Sequence, residues 1–425
     1  MNTEESLALY ARGRAAWNEW ARGMIAEREA LEAAGDWVAG SDRDIWNDAT
    51  RDWHAAAKAD FSEHEFVEAA HFKDFLFPGI AVFGGATFSG DALFGGATFS
   101  GDADISGATF SGDARFDGPT FYSDARFYSA TFSGAAGFDG KTFKGRTLFD
   151  TAKFEKEANF NAMRGGASFS LAAVRFRIVP NFIEANFNEA PRLDNLRIEP
   201  GRFAPLSLKR ARNYFKGDAD LPARWRALKR LAVQEHDHEQ ELVFFKGELR
   251  SRRWAVDKVW HAAFWFGLAY QVLSDYGRSA MRPLLIWMVG IAGFGCVYLG
   301  QFPTLAVKPY WGIPWAVQSA WSDWTDDVRL SCVAGLDNPV WAALGLSWRK
   351  ALPFFGLGSR EKLNQIYACL YGVHDTAVTT AGPIPAGFIP KIPDLVSGLG
   401  LAQLVISAVL IFLVLLALRN QFRIR

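Results

Sequence analysis

Between residues 61 and 198 a bulky apolar side chain returns at alternating steps of five and six residues. The run Phe83, Phe88, Phe94, Phe99, Ile105, Phe110, Phe116, Phe121, Phe127, Phe132, Phe138, Phe143, Phe149, Phe154 and Phe160 has one non-Phe member. Counting backwards reaches Phe77, Phe72, Phe66 and Phe61; counting forwards gives Gly165 as a blank, then Leu171, Phe176, Phe182, Phe187, Leu193 and Ile198. Twenty-one of these 26 slots hold Phe, so the backbone must accommodate this period above all else. A helix turns roughly 500° in five residues and would scatter the rings about 140° apart. Residues 83 to 140 also hold twelve glycines, each costing roughly 1 kcal/mol against Ala inside a helix. A flat strand fails because odd and even steps fall on opposite faces. The pattern fits a solenoid that turns a corner about every five residues and sends one side chain inward per face.

The intervening residues agree. Ala precedes the ring by two places at Ala86, Ala92, Ala97, Ala103, Ala108, Ala114 and Ala125, and Gly, Ser and Asp follow it, as in Phe88-Ser89-Gly90-Asp91. A small residue suits a shallower inward position, and Gly or Asp suits a corner. The stretch Phe83-Gly-Gly-Ala-Thr-Phe88-Ser-Gly-Asp-Ala-Leu-Phe94 resembles the Phe-rich form of the pentapeptide-repeat family. That resemblance implies a right-handed quadrilateral β-helix. The sixth residue in every second step departs from the family pattern and implies a bulged corner or a coil of about 22 residues.

With 425 residues and zero formal net charge, the chain suggests several domains and no general attraction to nucleic acid. Residues 1–60 read as a helical cap: Leu7, Tyr10, Trp17, Trp20, Ala21, Met24 and Leu31 share a side of one helix over 3–33, with Gly35 as its stop. A cap shields the open end that such a fold would otherwise expose; a groove formed by the Trp residues is the sharper alternative. The β-helix covers 61–200 and a helical linker 201–253, with Trp225, Leu228, Leu231, Leu242, Phe245 and Leu249 on one face. Along the repeats, Phe61–Asp124 holds ten acidic and two basic residues, and Ala125–Ile198 seven acidic and eleven basic. An acidic rod could imitate DNA, as some pentapeptide-repeat proteins do toward gyrase. Here the acidic half is short, and solvated corners account for it better.

Candidate chemistry is sparse. Ala135-Ala-Gly-Phe-Asp-Gly-Lys-Thr142 formally satisfies a relaxed phosphate-loop pattern. That motif needs a helix after the loop, whereas Phe138 and Phe143 are in register with the repeat. Glu235-His-Asp-His238-Glu-Gln-Glu241 has metal-ligand residue types, against the plainer reading of a solvent face at a helix bend. No catalytic residues, cofactor or metal are expected, so the reading is non-enzymatic. Three Cys are too few for a disulfide framework. In an oxidising compartment Cys332 and Cys369 could pair, although their spacing alone specifies nothing.

The last third turns apolar. Residues 254–281 read as an interfacial helix with Trp at headgroup depth; a spanning role for it would invert the topology. Residues 282–307 and 395–418 read as two transmembrane helices, separated by an extracytoplasmic loop over 308–394 and followed by a basic tail over 419–425. Arg278 and Arg282 precede the first, and Arg419, Arg423 and Arg425 follow the second. The positive-inside rule therefore places both termini in the cytoplasm. Trp225-Arg-Ala-Leu-Lys-Arg-Leu-Ala, Phe244-Phe-Lys-Gly-Glu248, Ser274-Asp-Tyr-Gly277, Arg282-Pro283-Leu, Ala351-Leu-Pro-Phe354 and Leu416-Ala-Leu-Arg-Asn420 are similar to the tail of bacterial membrane-anchored pentapeptide-repeat proteins. In those relatives the tail is similar to a two-helix potassium-channel module with a re-entrant segment. A potassium filter needs a Thr-Val-Gly-Tyr-Gly-like strip, which Tyr371-Gly372 and Thr379-Thr-Ala-Gly382 do not supply. The expectation is a multi-pass scaffold in a bacterial inner membrane, presenting its repeat rod to protein partners and open to homo-oligomerisation. An ion-channel-like or sensor protein is the alternative, and a gyrase mimic the more distant one.

Overall fold

The computed structural model describes residues 1–39, 45–118, 120–140, 142–199, 220–255, 261–301, 339–352, 360–371, 390 and 392–423. The chain forms two compact units, Met1–Phe264 and Trp265–Arg425.

In the first unit the repeats wind into a β-solenoid of four parallel sheets with six, seven, five and six strands. Each strand is two or three residues long, so stability comes from stacking successive coils. Thr87 pairs with Thr109 and Thr109 with Thr131 on one face, Ala92 with Ala114 and Ala114 with Ala136 on another. Every partner lies 22 residues away, which settles the coil length. Backbone N–H groups run along the axis: Phe94 donates to the Arg115 carbonyl at 2.8 Å and Thr109 to that of Ala86 at 2.9 Å.

Two kinds of corner alternate, and they explain the alternating step. The five-residue step closes a hydrogen-bonded turn, Ala86 N to Phe83 O at 3.0 Å, with its third residue left-handed, as at Gly85 with φ +69°. That conformation recurs every eleven residues from Glu63 to Asn195. The six-residue step instead brings coils into close contact. A Cβ built on Gly112 would stand 2.5 Å from the Gly90 carbonyl oxygen.

Inside, the aromatic residues form stacks along the axis. Phe88 and Phe110 lie 4.7 Å apart and Phe110 and Phe132 4.8 Å apart, nearly coplanar. Parallel columns run Phe94–Phe116–Phe138 and Phe77–Phe99–Phe121. In the fourth column Ile105 interrupts the series between Phe83 and Phe127. The blank at Gly165 is filled from elsewhere. Phe169 takes a slot that holds Ala in earlier coils, and its ring lies 4.7 Å from Phe187, which leans over Gly165.

Both ends of the solenoid are closed. Helices α1 (Thr3–Ala11), α2 (Arg14–Ala34) and α3 (Asp48–Ala57) cover the first coil. The single helix expected over 3–33 is broken at Gly13, φ +87°, and Gly35 ends the second piece in the left-handed region. Trp17 stacks on Phe61 at 5.7 Å, and Tyr10 lies within 6.0 Å of Phe61, Phe66, Phe72 and Phe75. Three side chains accept the first coil's edge N–H groups: Ser6 from Asp60, Tyr10 from His71 and Asn18 from Leu76, each at 2.9 Å. Edge strands left unpaired invite aggregation, and these bonds remove that liability.

The stretch expected as a linker closes the far end. Helices α4 (Leu221–Glu235) and α5 (His238–Ala255) add Leu221, Trp225, Leu228, Leu231 and Phe244 to the solenoid core. Glu235 accepts from the Leu193 N–H at 2.9 Å, while Gln234 and Gln240 donate to the Phe187 and Leu196 carbonyls, each at 3.4 Å. The inward face of α5 is Phe244, Glu248 and Ser251 rather than Leu242, Phe245 and Leu249, because the left-handed His236 breaks the helix and resets its rotation.

The second unit holds two helices long and apolar enough to cross a membrane, α7 (Met281–Gly300) and α10 (Asp394–Arg423), with α6 (Ala262–Ser274) shorter. Only 28% of each apolar window is buried within the protein, so most of both surfaces would be content in lipid. Helices α8 (Pro339–Ala351) and α9 (Arg360–Tyr371) pack with them around Tyr298, Leu346, Ile366 and Val396. Buried polar bonds fix this junction: Tyr298 Oη donates to Gln403 Oε1 at 2.7 Å, and Gln403 Nε2 to the Ser347 carbonyl at 2.8 Å. Ser347 Oγ donates to the Ile291 carbonyl at 2.7 Å.

Candidate functional site

All fifteen residues of the central ladder, Phe83 to Phe160, are at most 2% exposed. They form a core that no solvent-borne ligand reaches, so whatever the repeats do, they do through their outward positions. These positions form columns, because each coil repeats its neighbour's register. One face carries Thr87, Thr109 and Thr131; another carries Thr98 and Thr120.

A groove of about 1080 Å³ lies between the cap and the face built from strands Ala59–Asp60 to Ser168–Ser170. Trp37, Trp46, Trp53 and His54 form one wall, with Trp46 and His54 stacked at 3.9 Å. The Arg28 guanidinium covers Trp37 at 4.9 Å. Asp102, Asp104, Asp124, Arg126 and Arg146 stand opposite. Arg126 bonds Asp102 at 2.9 Å and Asp124 at 3.3 Å, and Arg146 bonds Asp124 at 2.5 Å. Burial by itself would push the Asp124 carboxyl up, but hydrogen bonds from Arg146 and the charges of Arg146 and Arg126 outweigh it and hold the group below the ordinary value. An Asp kept ionised by paired guanidiniums suits bracing of successive coils better than proton transfer.

The acidic and His-containing stretch does not converge. Glu235 turns to the Leu193 N–H, and burial, together with the charges of Asp194 and Asp237, pushes its carboxyl above the ordinary value against the pull of that bond. His238 Nδ1 lies 3.3 Å from Glu241 Oε2, on the other side of the helix break. Among the described residues no group of three or more His, Cys, Asp or Glu could hold a metal ion. The phosphate-loop look-alike runs strand, corner, strand, from Ala136–Gly137 to Thr142–Phe143; Lys141 lies outside the described residues. Cys332, the Cys369 side chain and the filter candidates Gly372 and Thr379–Gly382 also lie outside them. Tyr371 is buried and donates to the Tyr298 carbonyl at 2.9 Å. Cys296 is a free cysteine, exposed on α7.

Residues 72–118 match the family model described as pentapeptide repeats, with nine copies. The segment is a pentapeptide-repeat solenoid. No curated protein and no solved structure matches the chain. The pentapeptide-repeat geometry continues on both sides of the matched residues, from Ala59 to Ile198, because the 22-residue pairing does.

Several residues that hold this architecture do so through contacts that the sequence does not signal. Ser6, Tyr10, Asn18 and Glu235 act by position, each finding an edge group of the solenoid. Gln403 was also missed, although a signal existed: a lone amide in a long apolar run is costly in lipid unless partnered.

Proposed function

We propose that the protein is a non-enzymatic, membrane-anchored scaffold whose pentapeptide-repeat rod presents rigid outward columns to protein partners. The observation that supports it is the combination, in one chain, of a solenoid closed at both ends with two lipid-compatible helices. A rod with its edges capped cannot grow by strand addition, so its partners would meet side-chain columns. The placement is a bacterial cytoplasmic membrane with both termini in the cytoplasm, which the Arg residues outside each span favour. Helix α6 exposes Trp265, Phe266 and Val272, as an interfacial helix would. Residues 1–255, which include both caps, should capture a partner that full-length protein also cross-links in native membranes. Loss of that partner on deleting the repeats supports the reading; cross-linking that returns only self and lipid contradicts it.

An ion-conducting or sensing role is a second reading, favoured by α8 lying against α7 and α10 with Gln403 bonded to Ser347. Purified protein in liposomes should then pass an ion; electrically silent liposomes would remove this reading.

A further inference from the structure

We propose that one outward column of the solenoid docks on anionic lipid headgroups. On the seven-stranded face, successive coils place Glu65, Thr87, Thr109, Thr131, Lys153, Arg175 and Arg197 directly over one another. The last three are exposed and all positive.

Stacked strands lie about 4.8 Å apart, and like charges directly opposite one another destabilise a sheet. On another face the cations are met by carboxylates: Arg126 bonds Asp102 and Asp124, and Arg146 bonds Asp124. In the cationic column they are not. Among the described residues no ion pair joins Lys153, Arg175 or Arg197 to a carboxylate, and two of the nearby acids are engaged elsewhere. Glu155 bonds Arg177 at 3.0 Å and Glu157 bonds Arg224 at 2.7 Å. Three unpaired cations in line, one coil apart, form a costly array that an extended anionic surface would relieve. At the adjoining corner Ile178, 38% exposed, adds an apolar side chain.

A bilayer is the occupant because the same chain continues into two helices suited to a membrane. This step rests on the membrane reading above. The chain's zero net charge supplies no general field to draw nucleic acid. Near an anionic leaflet each Lys or Arg contributes roughly a fivefold gain in association, and three together on the order of a hundredfold, fading within about 10 Å.

Full-length protein is placed in vesicles of phosphatidylcholine alone, or with a third phosphatidylglycerol, and Lys153 acetylation is followed by mass spectrometry. Acetylation should be at least about fivefold slower in the anionic vesicles, with Lys73 in the acidic half unchanged. High salt, or the double substitution Arg175→Gln with Arg197→Gln, should bring the two rates together. The double variant should melt no lower than wild type, since it removes like-charge stacking. Equal rates in both vesicles, with the protein resisting alkaline carbonate, would overturn the docking column and leave the membrane reading intact. Release by carbonate would overturn both. Protection of Lys153 by heparin but not by anionic lipid would assign the column to a soluble acidic partner and overturn this proposal.

Discussion

Replacing Phe116 by Ala tests whether stacked rings hold the solenoid together. Phe116 is fully buried, with Phe94 at 4.8 Å below it and Phe138 at 4.9 Å above it, both nearly coplanar. Phe127 meets it edge-on at 5.5 Å and Phe110 at 6.1 Å. Truncating a buried Phe to Ala costs about 3–5 kcal/mol when the surroundings relax only partly. Relaxation here is restricted, because Phe116 N is bonded to the Gly137 carbonyl at 2.8 Å and Phe94 N to that of Arg115 at 2.8 Å. The cavity therefore stays open, and aromatic contacts worth about 0.5–1.5 kcal/mol each are lost as well. The expected loss is about 5 kcal/mol, comparable with the whole margin of a small domain. Phe116→Leu should cost far less, since Ile105 already fills one ring slot between Phe83 and Phe127. Urea unfolding of residues 1–255, followed by circular dichroism, reads both values. A loss below about 2 kcal/mol for Phe116→Ala would mean that the coils collapse onto the gap, and the rigid-wall argument would be wrong.

Three further outcomes follow from the geometry. Gly112→Ala drives a Cβ against the Gly90 carbonyl and should cost about 1–3 kcal/mol, whereas Gly140→Asn, left-handed with open space around it, should be nearly neutral in the same assay. Glu235 has its folded-state pKa raised, so the folded chain holds this proton more tightly than the unfolded chain does. Stability from this group is therefore present at low pH and declines as pH rises from the ordinary Glu value through the raised one. Glu235→Gln should remove that component from the pH profile of the urea midpoint, and an unchanged profile would refute it. Gln403→Leu should lower the melting temperature of detergent-solubilised protein by removing bonds worth about 0.6–2 kcal/mol, while Tyr298→Phe, which keeps Gln403 bonded to Ser347, should do less.

The solenoid was legible because one residue type, repeated at a period that neither helix nor flat strand tolerates, leaves a single class of backbone. The extra residue in alternate steps left two readings, a bulged corner or a coil of about 22, and the strand register decides for the coil of 22. Legibility ended where position replaces period. Phe169 occupies a slot held by Ala elsewhere, and only the packing around Gly165 explains it. The helix over 3–33 continued on paper through Gly13, a residue compatible with a helix interior as well as a break. The caps were expected, yet the side chains that seal them, from Ser6 to Glu235, are polar residues whose partners lie far away in sequence. The outward columns were hidden for a similar reason: Lys153, Arg175 and Arg197 become neighbours only once the coil length is fixed.

A capped pentapeptide-repeat rod tethered by two membrane crossings requires residues 255 and 425 to lie on the same side of the membrane. The most direct test is the topology of the full chain, read with compartment-specific reporters fused after residues 255, 338 and 425. Cytoplasmic signals are expected at 255 and 425 and an extracytoplasmic signal at 338. Opposite compartments for 255 and 425, or a chain that fractionates with soluble protein, would contradict the tethered rod.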